Sequence, residues 1–385
     1  MTSVTSIQPR KILFLIRSLN IGGAERQVVS LARSISTLGT EVHVAVKAGG
    51  GPLEHDLAEI PGARLHHIIG SGPVGLFRHL LRLRHLIAVE KYDAVYGFMP
   101  VPNLSLLVAR TFRSRPLIAW GIRSSHVDPS QYGGRVKWTM KVEKWLSKFA
   151  DRIITNSQAA LEEYRLKGYP YAKLSHVPNA INTDRFQPEA SARKILSVEL
   201  GIPIDVPLIG MFARIHPMKD HMTFLGAVEQ FLKISPGAHF ICAGEDPIGY
   251  SHYANRMRQN AVELGVEKNI SWLGPRTDPE ILMAACDITT LTSNSGEGFP
   301  NSVAESLACG TPCVVTDVGD GAAIVGDSSK VVPRGDQNAM SMAWAAALSD
   351  VQANEATVSR AARQSIVDRY SPEQIALTTL TLLSE

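Results

Sequence analysis

The stretch Glu297-Gly-Phe-Pro-Asn-Ser-Val-Ala-Glu-Ser-Leu-Ala-Cys-Gly310 lies between two apolar runs, residues 287–293 and 311–317. This arrangement predicts a strand, a loop, a helix and a second strand. Pro300 suits the first helical position and Gly310 the left-handed position after the last turn, so we expect the helix to begin between Gly298 and Pro300. Its positive dipole end would then lie at the carboxyl edge of a sheet. The stretch therefore predicts an α/β fold with a phosphate or pyrophosphate site.

Carboxylates flank this predicted helix start at Glu297 and Glu305. A carboxylate accepts hydrogen bonds from hydroxyl groups, so the pair suits a sugar or a ribose. The alternative is that Glu297 only precedes a helix N-terminus and that Glu305 lies on a solvated helix face. A second cluster of residues favours the ligand-binding interpretation.

That cluster follows the apolar run of residues 207–213, which predicts a buried parallel strand ending in Arg214. Lys219 opens a predicted helix over residues 220–233. The two cations thus lie where open α/β sheets bind ligands. Arg214 can hold a phosphate through two hydrogen bonds, whereas Lys219 acts as a point charge. The alternative is two solvated charges around His216 and Pro217.

Together these residues resemble family 4 of the retaining glycosyltransferases. The motifs that carry the resemblance follow in order along most of the chain: Asn20 to Arg26, Val177 to Phe186, Ala213-Arg214, Lys219-Asp220, Glu297 to Asn301, and Glu305. The resemblance implies a GT-B architecture, with two doubly wound Rossmann-like parallel-sheet domains facing across a cleft. It also implies transfer of a hexose with retention of configuration and no required metal.

Length and composition are consistent with two domains. The chain has 385 residues, of which 45% are hydrophobic, and this is long for one core. Turn-forming residues and two prolines between Val177 and Pro188 predict the linker. We expect an N-terminal acceptor-binding domain over residues 1–186 and a C-terminal nucleotide-sugar-binding domain over residues 187–370. Residues 371–385 are predicted to form a helix that returns to the first domain.

The sequence also predicts the cellular compartment of the protein. No run approaches the ~20 apolar residues that a membrane-spanning helix needs, and residues 1–10 form a polar tail without an apolar signal region. The cysteines lie in or beside apolar sequence without C-x-x-C spacing, which is typical of reduced core thiols. They are Cys242, Cys286, Cys309 and Cys313. We therefore expect a cytoplasmic protein.

The charge is distributed unevenly along the chain. Residues 1–186 hold 25 Lys and Arg against 13 Asp and Glu, whereas residues 187–385 hold 14 against 23. A basic first half favours an anionic partner, either an anionic substrate or a membrane surface. We predict no nucleic-acid partner. Residues 75–91 and 135–148 read as basic amphipathic helices that can lie on anionic lipid. The alternative is that both are packing helices with cationic outer faces.

The loop after the first predicted strand contains Gly22 and Gly23, which let the backbone approach a ligand closely. It lacks the G-x-G-x-x-G fingerprint, and no acidic residue ends the second strand, so an NAD site is disfavoured. By resemblance, Gly22 and Gly23 lie near the donor phosphates, His126 contacts the transferred sugar, and the loop around Arg276 meets the nucleotide base. A lone histidine is more often structural. Residues 317–323 depart from the family's paired glycines followed by Glu.

The predicted reaction loses a nucleoside diphosphate, so the site must stabilise a developing dianion and an oxocarbenium-like sugar. Arg214, Lys219 and the backbone of Gly298, Phe299, Pro300 and Asn301 are predicted to hold the diphosphate, Glu305 the ribose, and Glu297 with His126 the sugar hydroxyls. No Asp-x-Asp pair ends a strand, and we predict no metal and no cofactor besides the nucleotide-sugar co-substrate, with a UDP-sugar favoured.

The predicted acceptor is a sugar or a polyprenyl-diphosphate-linked sugar in cell-surface polysaccharide or glycan biosynthesis. Two rival functions use the same scaffold. A sugar-nucleotide epimerase would need an acid and base pair and no acceptor. A catalytically silent nucleotide-sugar-binding protein would bind without turnover, but the intact set of Arg214, Lys219, Glu297 and Glu305 argues against it.

Overall fold

The computed structural model describes residues 8–68, 72–111, 115–123, 134–246 and 249–384. The chain divides into two compact units: Met1–Ala180 with Pro372–Glu385, and Ile181–Ser371. The boundary lies before Ile181 rather than after residue 186, because Ile181 and Phe186 are buried in the core of the second unit. The two prolines and polar turn residues of the linker do not by themselves reveal that it packs into the core of the second unit.

The first unit alternates strands and helices, as the apolar periodicity predicts. Its strands are β1 Lys11–Ile16, β2 Glu41–Val46, β3 Arg64–His67, β4 Ala94–Phe98, β5 Leu117–Ile122, β6 Arg152–Thr155 and β7 Leu174–His176. Its helices are α1 Gly23–Thr37, α2 Leu53–Ala58, α3 Gly72–Glu90, α4 Pro100–Leu106, α5 Gly134–Leu146 and α6 Gln158–Leu166. Over the described residues the strands pair in parallel in the order β3-β2-β1-β4-β5-β6-β7.

Helices cover both faces of this sheet, because alternate side chains of each strand point to opposite sides. Ile12, Phe14 and Ile16 of β1 pack in one core cluster with side chains of α1. Leu13 and Leu15 pack in a second cluster on the other face, with side chains of α3 and α6. The chain's last helix, α14 (Pro372–Leu382), lies in the first cluster and contacts α1.

The second unit repeats the pattern. Its strands are β8 Leu208–Phe212, β9 His239–Ala243, β10 Ile270–Gly274, β11 Ile288–Leu291, β12 Cys313–Thr316 and β13 Val331–Val332. Its helices are α7 Ala192–Leu200, α8 His221–Ile234, α9 Ser251–Glu263, α10 Pro279–Ala285, α11 Asn301–Ala308, α12 Gly321–Val325 and α13 Gln337–Tyr370, and α14 spans Pro372–Leu382 in the first unit. Asn354 interrupts α13 with non-helical dihedral angles.

The second sheet is parallel in the order β10-β9-β8-β11-β12-β13 over the described residues. The prediction of two doubly wound Rossmann-like α/β domains is therefore confirmed. Strand β13 was not predicted, since Val331–Val332 is too short to show a period. Among the helices of the described residues, none is both long enough and apolar enough to cross a bilayer.

Candidate functional site

The strand order of the second sheet identifies where a ligand would bind within the second unit. The connection from β8 runs to β9 on one side, whereas β11 pairs with β8 on the other side. A crevice forms at the carboxyl ends of two strands where the order reverses in this way. The residues that follow β8 and β11 include Arg214, Lys219 and Glu297, so the topology brings the predicted cations and carboxylate to one place.

The residues after β8 hold Arg214 at the surface. The Ala213 amide donates to Ala243 O at 3.1 Å, and the Ile215 amide donates to Glu245 O at 3.0 Å. Gly244 permits this close approach, since a Cβ there would lie 2.0 Å from Ala213 O. Arg214 itself is exposed, and the described residues offer its side chain no hydrogen bond or ion pair. Its guanidinium is therefore available to an anion.

Lys219 ends a short 3-10 turn, Pro217–Lys219, and Asp220 caps the helix that follows. Asp220 adopts the left-handed conformation with φ of +48°. Its carboxylate accepts from the Thr223 amide at 3.2 Å and from the Thr223 hydroxyl at 2.7 Å. Asp tolerates this conformation better than most residues and is a favoured N-cap. The cap holds the Lys219 backbone at the carboxyl end of β8.

The loop after β11 is tied to this turn. The Thr292 hydroxyl donates to Lys219 O at 2.8 Å and lies 3.1 Å from Asp220 O. The Asn294 amide donates to Met218 O at 3.0 Å, and its side-chain Nδ2 donates to Pro217 O at 3.2 Å. Neither Thr292 nor Asn294 was predicted as a site residue. The sequence feature that could have identified them is the run of small polar residues directly after an apolar strand, because ligand-binding loops often begin at such a position.

An ion pair joins the two loops. The Lys219 ammonium donates to Glu297 Oε1, which also accepts from the Ser293 hydroxyl. The side chains of Lys219 and Glu297 are 19% and 9% exposed, so both charges lie largely out of water. The prediction assigned Lys219 to the diphosphate and Glu297 to the sugar. The structure brings them together, and an anion near Lys219 has to share its charge with Glu297.

The helix start differs by one residue from the prediction. Pro300 is the N-cap, its carbonyl accepts from the Val303 amide at 3.1 Å, and α11 begins at Asn301. Pro300 has no N–H to offer, so it cannot donate to a diphosphate. The Phe299 ring is buried and packs edge-on against Tyr370 with 5.0 Å between the ring centroids. Phe299 therefore anchors the loop in the core, and only its backbone can meet a ligand.

The loop after β12 supports the backbone before α11. The Asp320 amide donates to Gly298 O at 3.0 Å. Gly319 has φ of +61°, and a Cβ there would lie 2.6 Å from Glu297 O and 2.7 Å from Gly298 O. This is the loop whose sequence departs from the family pattern. In the structure it sets the position of the Glu297 and Gly298 carbonyls.

The remaining predicted donor-binding residues of the second unit lie at two places. Glu305 is half-buried on α11, one turn after Asn301. Arg276 follows β10, and its guanidinium is held by two carboxylates: Asp278 at 2.8 Å, and Glu199 on α7. Both ion pairs raise the pKa of Arg276. Its side chain is committed to these partners, which leaves the loop backbone for the predicted contact with a base.

The surroundings of two histidines near Lys219 lower their pKa values. Burial, with the nearby charges of Arg214 and Lys219, lowers the pKa of His216, whose Nδ1 accepts from the Met218 amide at 3.2 Å. Burial lowers the pKa of His221 to about 3. Within the described part of the chain, neither ring nitrogen of His221 has a hydrogen-bond partner. His221 stacks on Trp272 with 6.2 Å between the ring centroids.

In the first unit, Gly22 is the N-cap of α1 with an extended backbone, and Gly23 is the first helical residue. They follow β1, whose neighbours β2 and β4 make it the switch point of that sheet. Arg123, just after β5, donates to Tyr96 OH at 2.8 Å and to Asn179 Oδ1 at 3.2 Å. His126 lies outside the described residues, so its predicted contact with the sugar stays a prediction.

Comparison with known proteins identifies the family. The model described as "Glycosyltransferase Family 4" matches residues 21–185, and the model described as "Glycosyl transferases group 1" matches residues 206–351. Each model falls within one of the two units, apart from the short linker. The Anabaena protein HepE, whose crystal structure contains UDP and glucose, superposes with a TM-score of 0.84 at 22% identity. The superposition covers 98% of this chain and 100% of that one. This similarity and the two parallel sheets define the GT-B fold.

The chain belongs to the family 4 glycosyltransferases. Curated relatives include the D-inositol 3-phosphate glycosyltransferase of Corynebacterium jeikeium, which is 32% identical over 178 residues, covering 44% of this chain and 42% of the relative. A second is the Escherichia coli UDP-Gal:alpha-D-GlcNAc-diphosphoundecaprenol alpha-1,3-galactosyltransferase, 22% identical over 63% of this chain and 62% of the relative. The chain thus matches less than two thirds of the length of either protein.

Proposed function

We propose that the protein transfers a hexose from a nucleotide-sugar, a UDP-sugar, to an acceptor with retention of configuration and without a required metal. The observation that carries the proposal is the cluster at the switch point of the second sheet. There the exposed Arg214, the Lys219–Glu297 pair and the start of α11 lie at the carboxyl ends of β8 and β11. Cations and a helix N-terminus suit a diphosphate, and a carboxylate suits hydroxyl groups.

Each group has a part in the proposed reaction. As the bond between sugar and diphosphate breaks, negative charge grows on the diphosphate, and Arg214 with the positive end of α11 stabilises it. Lys219 shares its charge between the leaving group and Glu297. Glu297, held by Ser293 and Lys219, accepts hydrogen bonds from the sugar hydroxyls and orients the sugar. Glu305 accepts from the ribose hydroxyls.

The proposed acceptor is a lipid-linked or otherwise anionic sugar used in cell-surface glycan synthesis at the inner face of a membrane. Two observations support it. The first half of the chain is basic, with 25 Lys and Arg against 13 Asp and Glu over residues 1–186. One relative acts on a diphosphoundecaprenol-linked sugar by its name. The HepE structure with UDP and glucose supports the choice of a UDP-sugar.

Ligand-induced stabilisation tests the donor. The thermal midpoint is measured with UDP, GDP, ADP and NAD in the presence of EDTA. A ligand at ~100 times its dissociation constant adds about 2.7 kcal/mol to the free energy of unfolding. Of the four ligands, we expect only UDP to raise the thermal midpoint, and we expect the same rise with and without EDTA. A shift with NAD alone, or no shift with any of the four, contradicts the proposal.

Product analysis tests the reaction. Purified protein with a UDP-hexose should release UDP only when a suitable acceptor is present, and the anomeric configuration of the product, read by NMR, should match that of the donor. Conversion of the UDP-hexose to its epimer without an acceptor would instead establish the epimerase rival. Binding of UDP without turnover on a panel of lipid-linked acceptors would support the silent binding protein.

A further inference from the structure

The outer face of α5 and the residues just after it combine lysines with exposed aromatic rings. Trp138 and Trp145 are each 67% exposed, and Phe149 is 42% exposed. The lysines on this face are all exposed: Lys137, Lys141, Lys144 and Lys148. The acidic residue of the helix, Glu143, is 2% exposed and points inward. The face is therefore cationic and aromatic, with no carboxylate among its described residues.

The spacing along the helix places these groups on one side. Trp138 and Trp145 repeat at heptad spacing, which puts them on the same face about 10 Å apart. Lys141 lies between them on that face. The Lys148 ammonium lies 5.1 Å from the Trp145 ring centroid and 5.2 Å from that of Phe149. The side chains form a stripe in which cations and rings alternate.

Packing on the inner face prevents the helix from turning to bury the rings. The Asn103 Nδ2 on α4 donates to Glu143 Oε1 at 2.9 Å, in a buried contact. Asn103 also holds Gly121 on β5: its Nδ2 donates to the Gly121 carbonyl, and its Oδ1 accepts from the Gly121 amide. Leu146 packs against the core cluster below the sheet. Two tryptophans are thus held in water by the fold, which costs hydrophobic free energy unless a partner covers them.

A second helix of the same layer has a similar face. On α3, Phe77 is 63% exposed and Leu81 is 49% exposed, and the exposed Arg78 lies beside them. Leu83 and Ile87 of α3 pack in the same core cluster as Leu146. α3 contacts the 3-10 turn that follows α4, and α5 contacts α4 itself. Both basic, apolar faces therefore belong to the helical layer on one side of the first unit's sheet.

We infer that the outer face of α5 docks the protein on an anionic lipid bilayer. Trp138 and Trp145 lie at the headgroup boundary, where amphipathic rings are favoured, and the lysines bind anionic headgroups while their stems cover apolar surface. A helix that lies flat presents a line of contacts, which matches a planar surface. The inference deepens the membrane part of the proposed function by naming the surface that makes the contact.

Vesicle binding tests the inference without catalysis. The full chain is sedimented with vesicles of phosphatidylcholine alone and of phosphatidylcholine with phosphatidylglycerol, and tryptophan emission is recorded. We expect binding and a blue shift only with phosphatidylglycerol, both reduced by salt. Trp120 and Trp344 are fully buried, and Trp272 is half-buried and stacked on His221 in the second unit, so the exposed pair should dominate the shift. No donor or acceptor is present, so failure here leaves the transferase proposal unaffected.

Matched variants assign the contact to α5. Lys141→Gln with Lys144→Gln, and separately Trp138→Ala with Trp145→Ala, should each lower the partition coefficient on anionic vesicles by about tenfold or more. The controls are Lys194→Gln with Lys268→Gln, and Ile195→Ala with Val198→Ala, at exposed positions of the second unit. Circular dichroism checks that each variant is folded.

Three outcomes would overturn the inference: no binding of the unmodified chain to anionic vesicles at low salt, equal losses in the α5 variants and their controls, or binding that needs the lysines but leaves Trp138 and Trp145 emission unchanged. Heparin and single-stranded DNA are included as soluble polyanions. Binding to them with none to vesicles would assign the face to a soluble anionic partner and would also overturn it.

Discussion

The ammonium of Lys219 donates to the carboxylate of Glu297, so an ion pair joins the loop after β8 to the loop after β11. The two residues lie on separate strand–loop–helix segments, and each flanks the place where the proposed diphosphate binds. The pair has a structural role without ligand, because it holds two loops together. It has a second role in the proposed reaction, because the anion competes with Glu297 for the same cation.

Replacing Lys219 and replacing Glu297 should lower the free energy of unfolding by different amounts. Lys219→Met removes the ammonium that pairs with the Glu297 carboxylate, whose side chain is 9% exposed. We expect a loss on the order of 1–3 kcal/mol in the free energy of unfolding, measured by urea denaturation. Glu297→Gln should cost less, since the amide oxygen still accepts from Ser293 and Lys219 is more exposed. Equal costs for both variants would contradict this account of the pair.

Arg214→Ala should reduce turnover with little effect on stability. The side chain is exposed and makes no hydrogen bond or ion pair with the described residues, so its loss leaves no buried group unpaired. Removal of one donor to a developing oxyanion typically costs about 10²- to 10³-fold in kcat. The matched control is Arg256→Ala, at an exposed position on α9. Turnover of Arg214→Ala equal to that of the control would remove Arg214 from the site.

Gly319→Ala should weaken nucleotide binding as well as stability. The new Cβ would lie 2.6 Å from Glu297 O, and the residue would also keep its φ of +61°. Gly335→Ala is the control, because Gly335 has φ of +74° with nothing within 4 Å of the added Cβ. We expect the Gly319 variant to lose about 1–3 kcal/mol more than the control in thermal or urea unfolding. Identical losses would show that only backbone strain matters there.

His221 should make the protein sensitive to acid. Its pKa falls from 6.5 to about 3 in the folded chain, mainly through burial. A histidine whose pKa is lowered on folding contributes stability that is fully present above pH 6.5 and is lost as the pH falls toward 3. His221→Phe keeps an aromatic ring beside Trp272 and removes the titration.

Below pH 6.5, the free energy of unfolding of the unmodified chain should fall more steeply than that of His221→Phe, by up to about 1.4 kcal/mol per pH unit. The measurement is urea denaturation of both proteins at pH 7, 6 and 5. The pKa values of His43, His66, His79, His216 and His239 are also lowered by burial, and these residues titrate in both proteins, so the difference reports His221 and its interaction with His216. Parallel pH profiles would contradict the prediction.

Several site features could be predicted because they depend on neighbours in sequence. Arg214 lies just after an apolar strand, and Glu297 to Phe299 precede a helix that has Pro300 as its N-cap and Gly310 after its end. The prediction for Arg276 did not include its partners. Glu199 on α7 holds its guanidinium, and no local pattern links residues so far apart along the chain. For the same reason, the support that Gly319 gives to Glu297 was not foreseen.

The sequence by itself determined the alternation of strands and helices, the family, and the residue types that suit a diphosphate and a sugar. Apolar periodicity and turn residues act over a few positions, and a chain of amino acids shows them directly. Only the tertiary structure decided that β11 pairs with β8, that Lys219 meets Glu297, and that Trp138 and Trp145 stay exposed. These depend on strand order and on the packing of distant segments, because hydrogen bonds and ion pairs form between groups that the fold brings together.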